Sequence, residues 1–528
     1  MKPAETARDV LDRQLGRVTM YRLVTIALSL LVLVTLAYTA GGTFEDPFTV
    51  THELVMLAVL LVASYLSNRL LGLAFRIRPH GESAVITALL LFFIFRPETE
   101  FGPLLWVAAA AVLGNASKYV LAWRGRHVLN PAAAGAFLVY LIPQVVTPDS
   151  PDRIYAGWWI ASEVLLPYVA VAAVLVLWRT RRLDLGVVFV ATSVVLGVVA
   201  RMNVHNPSVA DLSLGDAFTA TINTSAIVFL AGFMLSEPLT LPPRRWQQLV
   251  VAFVAALAFA YPLLQFTVRD TPVDLGVFTV NEASALLIGN LVAFAFARRR
   301  GLTLELEETR QLSPQTHQLT FRSTRPVAFA PGQYVELTVP HAGVDARGSR
   351  RTFSISSPPD ADGRMSFALR VPEKSSSFKK ALLALEPGQR VSGTGVGGDF
   401  VWPRDTSAPL LLVAGGIGIT PFLSQLRHEA ARDAVLVYGA AAADEVPFTE
   451  ELAGVRVVLV CPARPADLPE GWTFVEAPFI STDLIAEAVP DLADRRAYVS
   501  GPPAMVNAVG SGLAKRCRSL KTDYFSGY

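Results

Sequence analysis

Cysteine is nearly absent: the 528-residue chain has two, Cys461 and Cys517. A cysteine-ligated iron–sulfur cluster needs about four thiolates, so none is expected within this chain. A disulfide framework is excluded as well. Charge is scarce too. Asp, Glu, Lys and Arg make up 17% of the residues, against roughly 25% in soluble domains. The net charge of +2 offers no field for nucleic acid or an acidic polymer. Histidines number seven, and the four before residue 300 (His52, His80, His127 and His205) fall at predicted span ends or in loops. A relay of haems held by stacked histidine pairs within helices is therefore disfavoured, and no resident metal is expected.

What the chain has in abundance is apolar length. Runs long enough to cross a bilayer fall at roughly 20–40, 52–74, 83–95, 104–121, 131–147, 157–178, 184–200, 216–235, 247–264 and 276–297. That makes about ten spans, two of them short. Met1 to Val18 is charged and mixed, and Met20 to Ala40 is too long and too poorly ended for a cleaved signal, so it reads as a retained first helix. With the N-terminus cytoplasmic, the inner loops carry fourteen basic residues (Arg69, Arg76, Arg78, Lys118, Arg124, Arg126, Arg179, Arg181, Arg182, Arg244, Arg245 and Arg298 to Arg300). The outer loops carry four: Arg96, Arg153, Arg201 and Arg269. This asymmetry predicts both termini on the cytoplasmic side of a bacterial-type inner membrane, in a multi-pass chain.

An internal repeat is expected beneath the spans. Ser83-Ala84-Val85-Ile86 is echoed by Ser225-Ala226-Ile227-Val228, and Asn130-Pro131-Ala132-Ala133-Ala134 by Asn281-Glu282-Ala283-Ser284-Ala285, at offsets of 142 and 151 residues. Five spans per unit is odd, so the second unit is inverted, an arrangement that places sites near the pseudo-two-fold axis. Polar residues within spans are few: Thr219, Thr221, Asn223 and Thr224 in the eighth, Glu163 in the sixth and Glu282 in the tenth. An acid at membrane depth is a functional candidate; reaching an outer headgroup is the plainer role.

At Arg298-Arg299-Arg300 the pattern stops, and the rest reads as a soluble body. The expected organisation is a cytoplasmic segment (1–19), a ten-span membrane domain (20–300), an antiparallel β-barrel (301–406) and a doubly wound α/β domain (407–528). In the first soluble domain, Gly332-Gln333-Tyr334 leads a period-2 strand, and Arg351-Thr352-Phe353-Ser354 lies on another. In the second, the buried-strand run Leu410 to Ala414 enters Gly415-Gly416-Ile417-Gly418-Ile419-Thr420-Pro421 and then a helix. Strand, glycine turn and helix N-terminus together make a pyrophosphate cradle. Ala497 to Ser500 is a strand leading into Gly501-Pro502-Pro503. With neither haem nor cluster, flavin is the remaining common one-electron carrier.

Residues 302–528 resemble the ferredoxin–NADP reductase superfamily. The matching motifs, in order, are Pro331 to Tyr334, Arg351 to Ser354, Gly395-Val396-Gly397-Gly398-Asp399-Phe400, Gly415 to Pro421, Ser500 to Pro503 and the aromatic end Tyr524-Phe525-Ser526-Gly527-Tyr528. The resemblance implies FAD on the β-domain, held by Tyr334, Arg351 (on the pyrophosphate), Thr352, Phe353, Ser354 (at the flavin N5 region), Gly397 and Gly398. It implies NAD(P)H on Gly415, Gly416, Gly418, Thr420 and Pro421. Ser500, Gly501 and Pro502 would press the nicotinamide towards the flavin, with Phe525 or Tyr528 covering the ring; Ser354, Ser500 and Phe525 are the implied catalytic residues. Three departures stand out. Phe353 replaces the usual Tyr, keeping stacking without the hydroxyl. Ser500 replaces Cys. Ala441 stands where NADPH-preferring members often carry Arg, which removes a 2′-phosphate fork and tilts the expectation to NADH, with Arg464 as a possible substitute.

The apolar half resembles the D subunit of Rnf complexes and the B subunit of the Na⁺-translocating NADH:quinone oxidoreductase. The resemblance rests on Ser83 to Leu90, Ala116-Ser117-Lys118-Tyr119, Gly125 to Ala132 and Gly232-Phe233-Met234-Leu235-Ser236-Glu237-Pro238. It implies membrane flavin near Lys118, Arg126, His127 and Asn130 on the inner side and near Asn223 and Asn281 on the outer side. The loop Arg201 to Asp216 has no threonine, so the family's covalent flavin is expected to be absent there, and any FMN or riboflavin to be non-covalent. The resulting expectation is a membrane NAD(P)H dehydrogenase passing electrons through FAD to a membrane flavin and on to an extracytoplasmic acceptor. A quinone reductase and a redox-driven cation pump using Glu163 and Glu282 are the alternatives.

Overall fold

The computed structural model describes residues 14–15, 18–76, 79, 81–123, 126–146, 154–203, 212–267, 275–276, 278, 280–296, 301–345, 348–393 and 396–525. It divides into two compact units, Val18–Arg298 and a second that contains Arg299–Tyr528.

The first unit is helical. Its elements are α1 (Met20–Ala40), α2 (Val50–Ala74), α3 (Gly81–Ile94), α4 (Phe101–Val120), α5 (Pro131–Val146), α6 (Leu166–Arg179), α7 (Leu183–Met202), α8 (Leu214–Asn223), α9 (Ile227–Leu235), α10 (Arg245–Leu264) and α11 (Glu282–Phe296). By length and composition, α1, α2, α7 and α10 are long and apolar enough to cross a membrane among the described residues. A fifth is gained if α8 and α9, bent by 52° at a short break, count as one span. Helices α3, α5, α6 and α11 are apolar but shorter, 10–17 residues. Among the described residues the ten expected runs fall on these eleven helices, α8 and α9 sharing one run, and four of them, or five with the bent pair, are long enough to span where ten spans are expected.

The sixth run departs most. Helix α6 begins at Leu166, and the residues before it form turns, with Glu163 exposed outside any helix. The reason is local packing: Trp158 takes a left-handed φ of 43°. Trp159 donates its indole N–H to Phe92 O at 2.7 Å and packs against Phe92 and Phe93. These apolar side chains plug the unit as a loop rather than extending a helix. Glu282 is the first residue of α11, and Asn281 is its cap rather than part of it.

Packing repeats between the two halves. Helix α2 packs on α3 and α4, and α4 on α5; α7 packs on α8, α9 and α10, and α10 on α11. Helix α1 meets α3 as α6 meets α9, and the halves join through α1 with α6 and α5 with α11. Details repeat as well. Asn130 Oδ1 accepts from Ala133 N at 3.1 Å, and Asn281 Oδ1 from Ser284 N at 2.9 Å. A Cβ on Gly135 would lie 2.2 Å from Ala110 O, and one on Gly289 would lie 3.0 Å from Ala255 Cβ. Small residues let helix backbones approach where no water drives association.

Several basic side chains make contacts at one end of this unit. Arg22 pairs with Glu82 at 3.3 Å, Arg179 reaches Val18 O, Arg182 reaches Ser236 O, and Arg245 pairs with Asp184 at 2.6 Å. Arg179, Arg182 and Arg245, three of the predicted inner basic residues, therefore lie with Arg22 at one end of the bundle.

The second unit holds two six-stranded sheets. The antiparallel one is built from β1 (Leu302–Gln311), β2 (Thr316–Ser323), β3 (Tyr334–Thr338), β4 (Arg350–Ser354), β5 (Arg364–Arg370) and β6 (Arg390–Gly393), in the order β4-β3-β6-β1-β2-β5, with helix α12 (Ser377–Leu383) beside it. One bridge, Ile355 to Phe367, links its two outer strands. The parallel sheet comprises β7 (Leu410–Gly415), β8 (Ala434–Gly439), β9 (Arg456–Cys461), β10 (Thr473–Glu476), β11 (Arg496–Gly501) and β12 (Ser519–Tyr524), ordered β10-β9-β8-β7-β11-β12. Helices α13 (Thr420–His428), α14 (Thr482–Ala488) and α15 (Pro503–Arg516) cover it. Leu410 to Ala414 are fully buried, as befits a central strand covered on both faces. Each large side chain so buried stabilises the sheet by about 1.5–3 kcal/mol.

Candidate functional site

The order β10-β9-β8-β7-β11-β12 reverses direction between β7 and β11, and open α/β sheets bind ligands at such a point, beyond the carboxyl ends of the strands. Both strands end there in glycine, at Gly415 and Gly501. Past Gly415 the chain makes a 3₁₀ turn, Gly416–Ile419, and runs into α13. Gly416 has φ +51° and open space around its absent side chain, whereas a Cβ on Gly418 would lie 2.4 Å from Ser500 O and 2.6 Å from Gly501 Cα. The turn is thus pressed against the end of β11 and open on the other side, a groove lined by backbone. Thr420 is buried and its hydroxyl donates to Ile417 O at 3.0 Å, so it holds the turn's shape. Pro421 sits in the first turn of α13, where its missing N–H costs nothing.

Ser500 is fully buried and its hydroxyl has no partner among the described residues. Phe525 N donates to Gly501 O at 2.8 Å, which sets the C-terminal aromatic beside this strand end. Tyr528 lies outside the described residues. In β12, Asp523 is in register with Ser500. Burial, and then the nearby Asp399, push its carboxyl up to about 6.

On the antiparallel sheet, Tyr334 faces Ser354 across β3 and β4. Tyr334 and Gly397 exchange backbone hydrogen bonds of 2.8 and 2.9 Å. Gly398, at φ +106°, would place a Cβ 2.9 Å from the Tyr334 ring. Tyr334, Ser354, Gly397 and Gly398 are therefore neighbours, with Thr352 exposed on the same strand as Ser354. Phe353 is not. It points the other way, 9% exposed, packing against Phe367 and Phe378 in the sheet's core. Strand alternation sends Arg351 and Phe353 to one face and Thr352 to the other, so ring stacking by Phe353 is replaced by core packing. Arg351 is also buried; its guanidinium lies 3.8 Å from Asp345 and over the Phe378 ring. Beside it, Ser377 binds Asp345 through both its N–H and its hydroxyl, at 3.0 Å each. That serine was missed from the sequence because its run, Ser375 to Ser377, reads as an ordinary turn.

In the helical unit, Lys118 Nζ donates to Ser83 O, Ser83 Oγ, Thr87 Oγ1 and Asn115 Oδ1 at 2.9–3.0 Å. His127 Nε2 lies 2.6 Å from Glu237 Oε1, Asn130 Nδ2 donates to Glu237 Oε2 at 3.0 Å, and Arg126 donates to Pro238 O at 2.7 Å. Asn290 accepts from Asn130 N at 2.7 Å. The four inner residues named from sequence are thus brought together, and Glu237, Asn115 and Asn290 complete the set. A cavity of about 40 Å³ adjoins it, lined by Tyr21, Ser83, Thr87, Asn130, Ser236 and Glu237 among others. Asn223 and Asn281 are not joined to this cluster: one ends α8 at the helix break, the other caps α11. The loop expected to lack covalent flavin, Arg201 to Asp216, lies largely outside the described residues.

Residues 412–511 match the oxidoreductase NAD-binding domain family. The reductase subunit of an aromatic O-demethylase from an Amycolatopsis strain is 30% identical over 232 residues, 41% of this chain and 66% of that one. The electron transfer component of toluate 1,2-dioxygenase from Pseudomonas putida is 31% identical over 226 residues, 40% of this chain and 63% of that one. The chain thus spans a little under two thirds of the length of these relatives. Among solved structures, the Amycolatopsis cytochrome P450 reductase GcoB is similar at 28% identity and a TM-score of 0.36, covering 43% of this chain and 71% of its own. The C-terminal unit thus contains an oxidoreductase NAD-binding domain and is similar to the reductase and electron transfer components of these systems.

Proposed function

We propose that the protein is a membrane-bound NAD(P)H dehydrogenase. It takes electrons from cytoplasmic NAD(P)H through FAD and delivers them, by way of the helical unit, to an acceptor on the far side of a bacterial-type inner membrane, with both termini cytoplasmic. The observation that carries this reading is a nucleotide cradle at the β7/β11 switch point, in one chain with an apolar bundle that gathers Arg22, Arg179, Arg182 and Arg245 at one end.

The cradle fits a dinucleotide. Gly418 touches the backbone of β11, so its turn stays flat enough for backbone N–H groups to meet a pyrophosphate. Ser500, Gly501 and Phe525 stand at the strand end where the nicotinamide would lie. On the flavin side, Gly398 lies against the Tyr334 ring, where a Cβ would be 2.9 Å from it, so the backbone approaches the ring as only glycine allows. Tyr334, Thr352, Ser354 and Gly397 would hold the ring system, with Arg351 and Ser377 towards the phosphates. When bound, FAD accepts a hydride and releases electrons singly. The chain's work is to position the donor and exclude water. Gly439 to Ala443 carry no cation, and Arg464 lies over the Phe474 ring; both support NADH over NADPH.

The inner polar cluster does not fit an isoalloxazine as it stands. Most of its donors and acceptors are used on one another, Arg126 Nε and Asn290 Nδ2 being without a partner among the described residues, and 40 Å³ is far below the roughly 300 Å³ of a small-ligand pocket. No step is assigned to a flavin at that cluster, and the proposed crossing of about 30 Å would need a carrier seated elsewhere in the helical unit. Vesicles with the soluble unit outside, supplied with NADH and loaded with an impermeant oxidant, test the reading. Reduction of the trapped oxidant is expected. Oxidation of NADH that depends on added quinone, with the trapped oxidant untouched, would select the quinone reductase instead.

A further inference from the structure

Helix α13 begins at the dinucleotide turn and is fastened to the antiparallel sheet by two adjacent side chains. Ser424 Oγ donates to Ser357 O at 2.7 Å, and Gln425 Nε2 donates to Phe400 O at 2.8 Å. Both side chains are buried, at 0% and 1% exposure. Gly332 closes the junction from the sheet side. At φ +91°, its Cβ would lie 2.2 Å from Phe400 O and 2.4 Å from Gln425 Nε2. Turn, loop and helix therefore meet at one point without slack. The segment around Phe400 is in turn tied to the flavin-side strand. Gln333 Nε2 donates to Gly398 O at 3.0 Å, and Gly397 pairs with Tyr334 through both backbone groups. Hydrogen bonds and the short backbone stretch 397–400 together link α13, through Gln425 and Phe400, to Gln333 and Tyr334.

Gln425 is also an odd choice for a buried position. Its Oε1 has no partner among the described residues. An unmatched buried acceptor is a cost that an apolar side chain of the same length would avoid. The amide is explained by what its N–H does, not by packing.

We propose that Gln425 is a positioning residue for hydride transfer, setting the spacing between the dinucleotide turn and the flavin-side turn Gly332 to Tyr334. This rests on the reading above, that the unit binds NAD(P)H and FAD. With both cofactors bound, the C4–H bond of the reduced nicotinamide would break, its hydride would carry both electrons to flavin N5, and solvent would supply the second proton. The rate depends on approach over fractions of an ångström, and a misplacement of about 1 Å costs on the order of 10²-fold.

The test uses the full-length protein in detergent, as wild type, Gln425→Met, Gln425→Glu and Ser424→Ala. In Gln425→Met, flavin content and NADH affinity stay within about twofold of wild type. The single-turnover rate of flavin reduction at saturating NADH falls by about 10- to 100-fold. In Gln425→Glu the carboxyl donates to Phe400 O only when protonated, so the rate recovers as pH falls, a profile absent from wild type. Ser424→Ala, which keeps the amide, loses less. A readout independent of turnover uses flavin-stripped protein: NAD⁺ slows amide exchange at 331–334 and 397–400 in wild type and not in Gln425→Met. Reduction of Gln425→Met at the wild-type rate, or equal protection by NAD⁺ in both proteins, would overturn the proposal. If Gln425→Met loses its flavin, a Gln425→Glu pH profile parallel to wild type overturns it, and a recovering one supports it. A wild-type protein that binds NADH but no flavin rejects the functional reading instead, and the exchange experiment still decides the coupling.

Discussion

Replacing Gly418 by alanine should separate nucleotide binding from flavin binding. The added Cβ would sit 2.4 Å from Ser500 O, 2.6 Å from Gly501 Cα and 2.7 Å from Ser500 C. All three are backbone atoms of a strand paired on both sides, so no side chain can swing away. Ordinary contact begins at 3.4 Å, and 3.4 − 2.4 leaves about 1 Å of forced separation between the turn and the end of β11. Overpacking of this kind costs about 1–3 kcal/mol, which is about a 5- to 140-fold change in an equilibrium constant. Gly416→Ala is the control. Its Cβ meets nothing within 4 Å, so the only penalty is its φ of +51°, about 1–2 kcal/mol of local strain. Anaerobic stopped-flow reduction by NADH gives the affinity and the rate, and acid-released flavin gives the cofactor content. The expected result is full flavin content in both variants, with NADH affinity or reduction rate impaired more in Gly418→Ala than in Gly416→Ala. Wild-type affinity and rate in Gly418→Ala, or the reverse order of the two variants, would refute the account of the cradle.

Three further outcomes follow from particular side chains. The Asp523 carboxyl is pushed up to about 6 from an ordinary 3.8, by burial first and then by Asp399. The native state holds that proton more tightly than the unfolded chain, so its contribution to stability is complete below about pH 4 and is lost as pH rises through about 6. Urea titrations across that window should show a fall in wild type that is flatter in Asp523→Asn; equal slopes would count against a buried acid. Burial pushes the Cys517 thiol up to about 11 from 9.0, and two units leave about one hundredth of the ordinary thiolate at pH 8. Alkylation at pH 8, followed by peptide mass spectrometry, should be about 100-fold slower at Cys517 in the native protein than after unfolding, and a ratio near one would refute the burial. Glu237→Ala strips the acceptor from His127 and Asn130 together, at about 1–3 kcal/mol for each group left unmatched. The variant should melt at a lower temperature in detergent, with Glu237→Gln intermediate; an unchanged melting temperature would show that the cluster is not structural.

What could be read from the sequence was what has a period or a run. The strand Leu410 to Ala414 and the turn after it were legible because a central parallel strand must be apolar on both faces and a phosphate turn must be glycine-rich. The helices were legible because apolar length is itself the signal. Side-chain pairing was not. Glu237 meets His127 and Asn130 across 110 and 107 residues of chain, and nothing local marks that partnership. Phe353 was misassigned because the motif was read as a whole, whereas strand alternation sends its ring into the core beside Phe378. Glu163 was misplaced because an apolar run was equated with a helix; Trp158 and Trp159 supply the hydropathy of a span while packing as a loop.

Lys118 decides how far the resemblance of the apolar half extends to a cofactor. An ammonium within an apolar bundle is costly unless its three protons find acceptors, and here four oxygens surround it, from Ser83, Thr87 and Asn115. Asn115 is itself held by Ser64 and Ser67, so Lys118 ties α4 to α3 and, through Asn115, to α2. That structural role is sufficient to explain the Ser-Lys-Tyr motif without a ligand. The two roles differ in what Lys118→Met would change. A purely structural lysine predicts a lower melting temperature with flavin per chain unaltered, because the oxygens of Ser83, Thr87 and Asn115 lose a donor while the FAD module is untouched. A lysine that holds a flavin predicts that the flavin content drops by one equivalent. The geometry favours the first outcome, since every proton of the ammonium is already matched within the bundle. A loss of one flavin per chain in a variant that stays folded would show that the inner cluster opens to seat a cofactor.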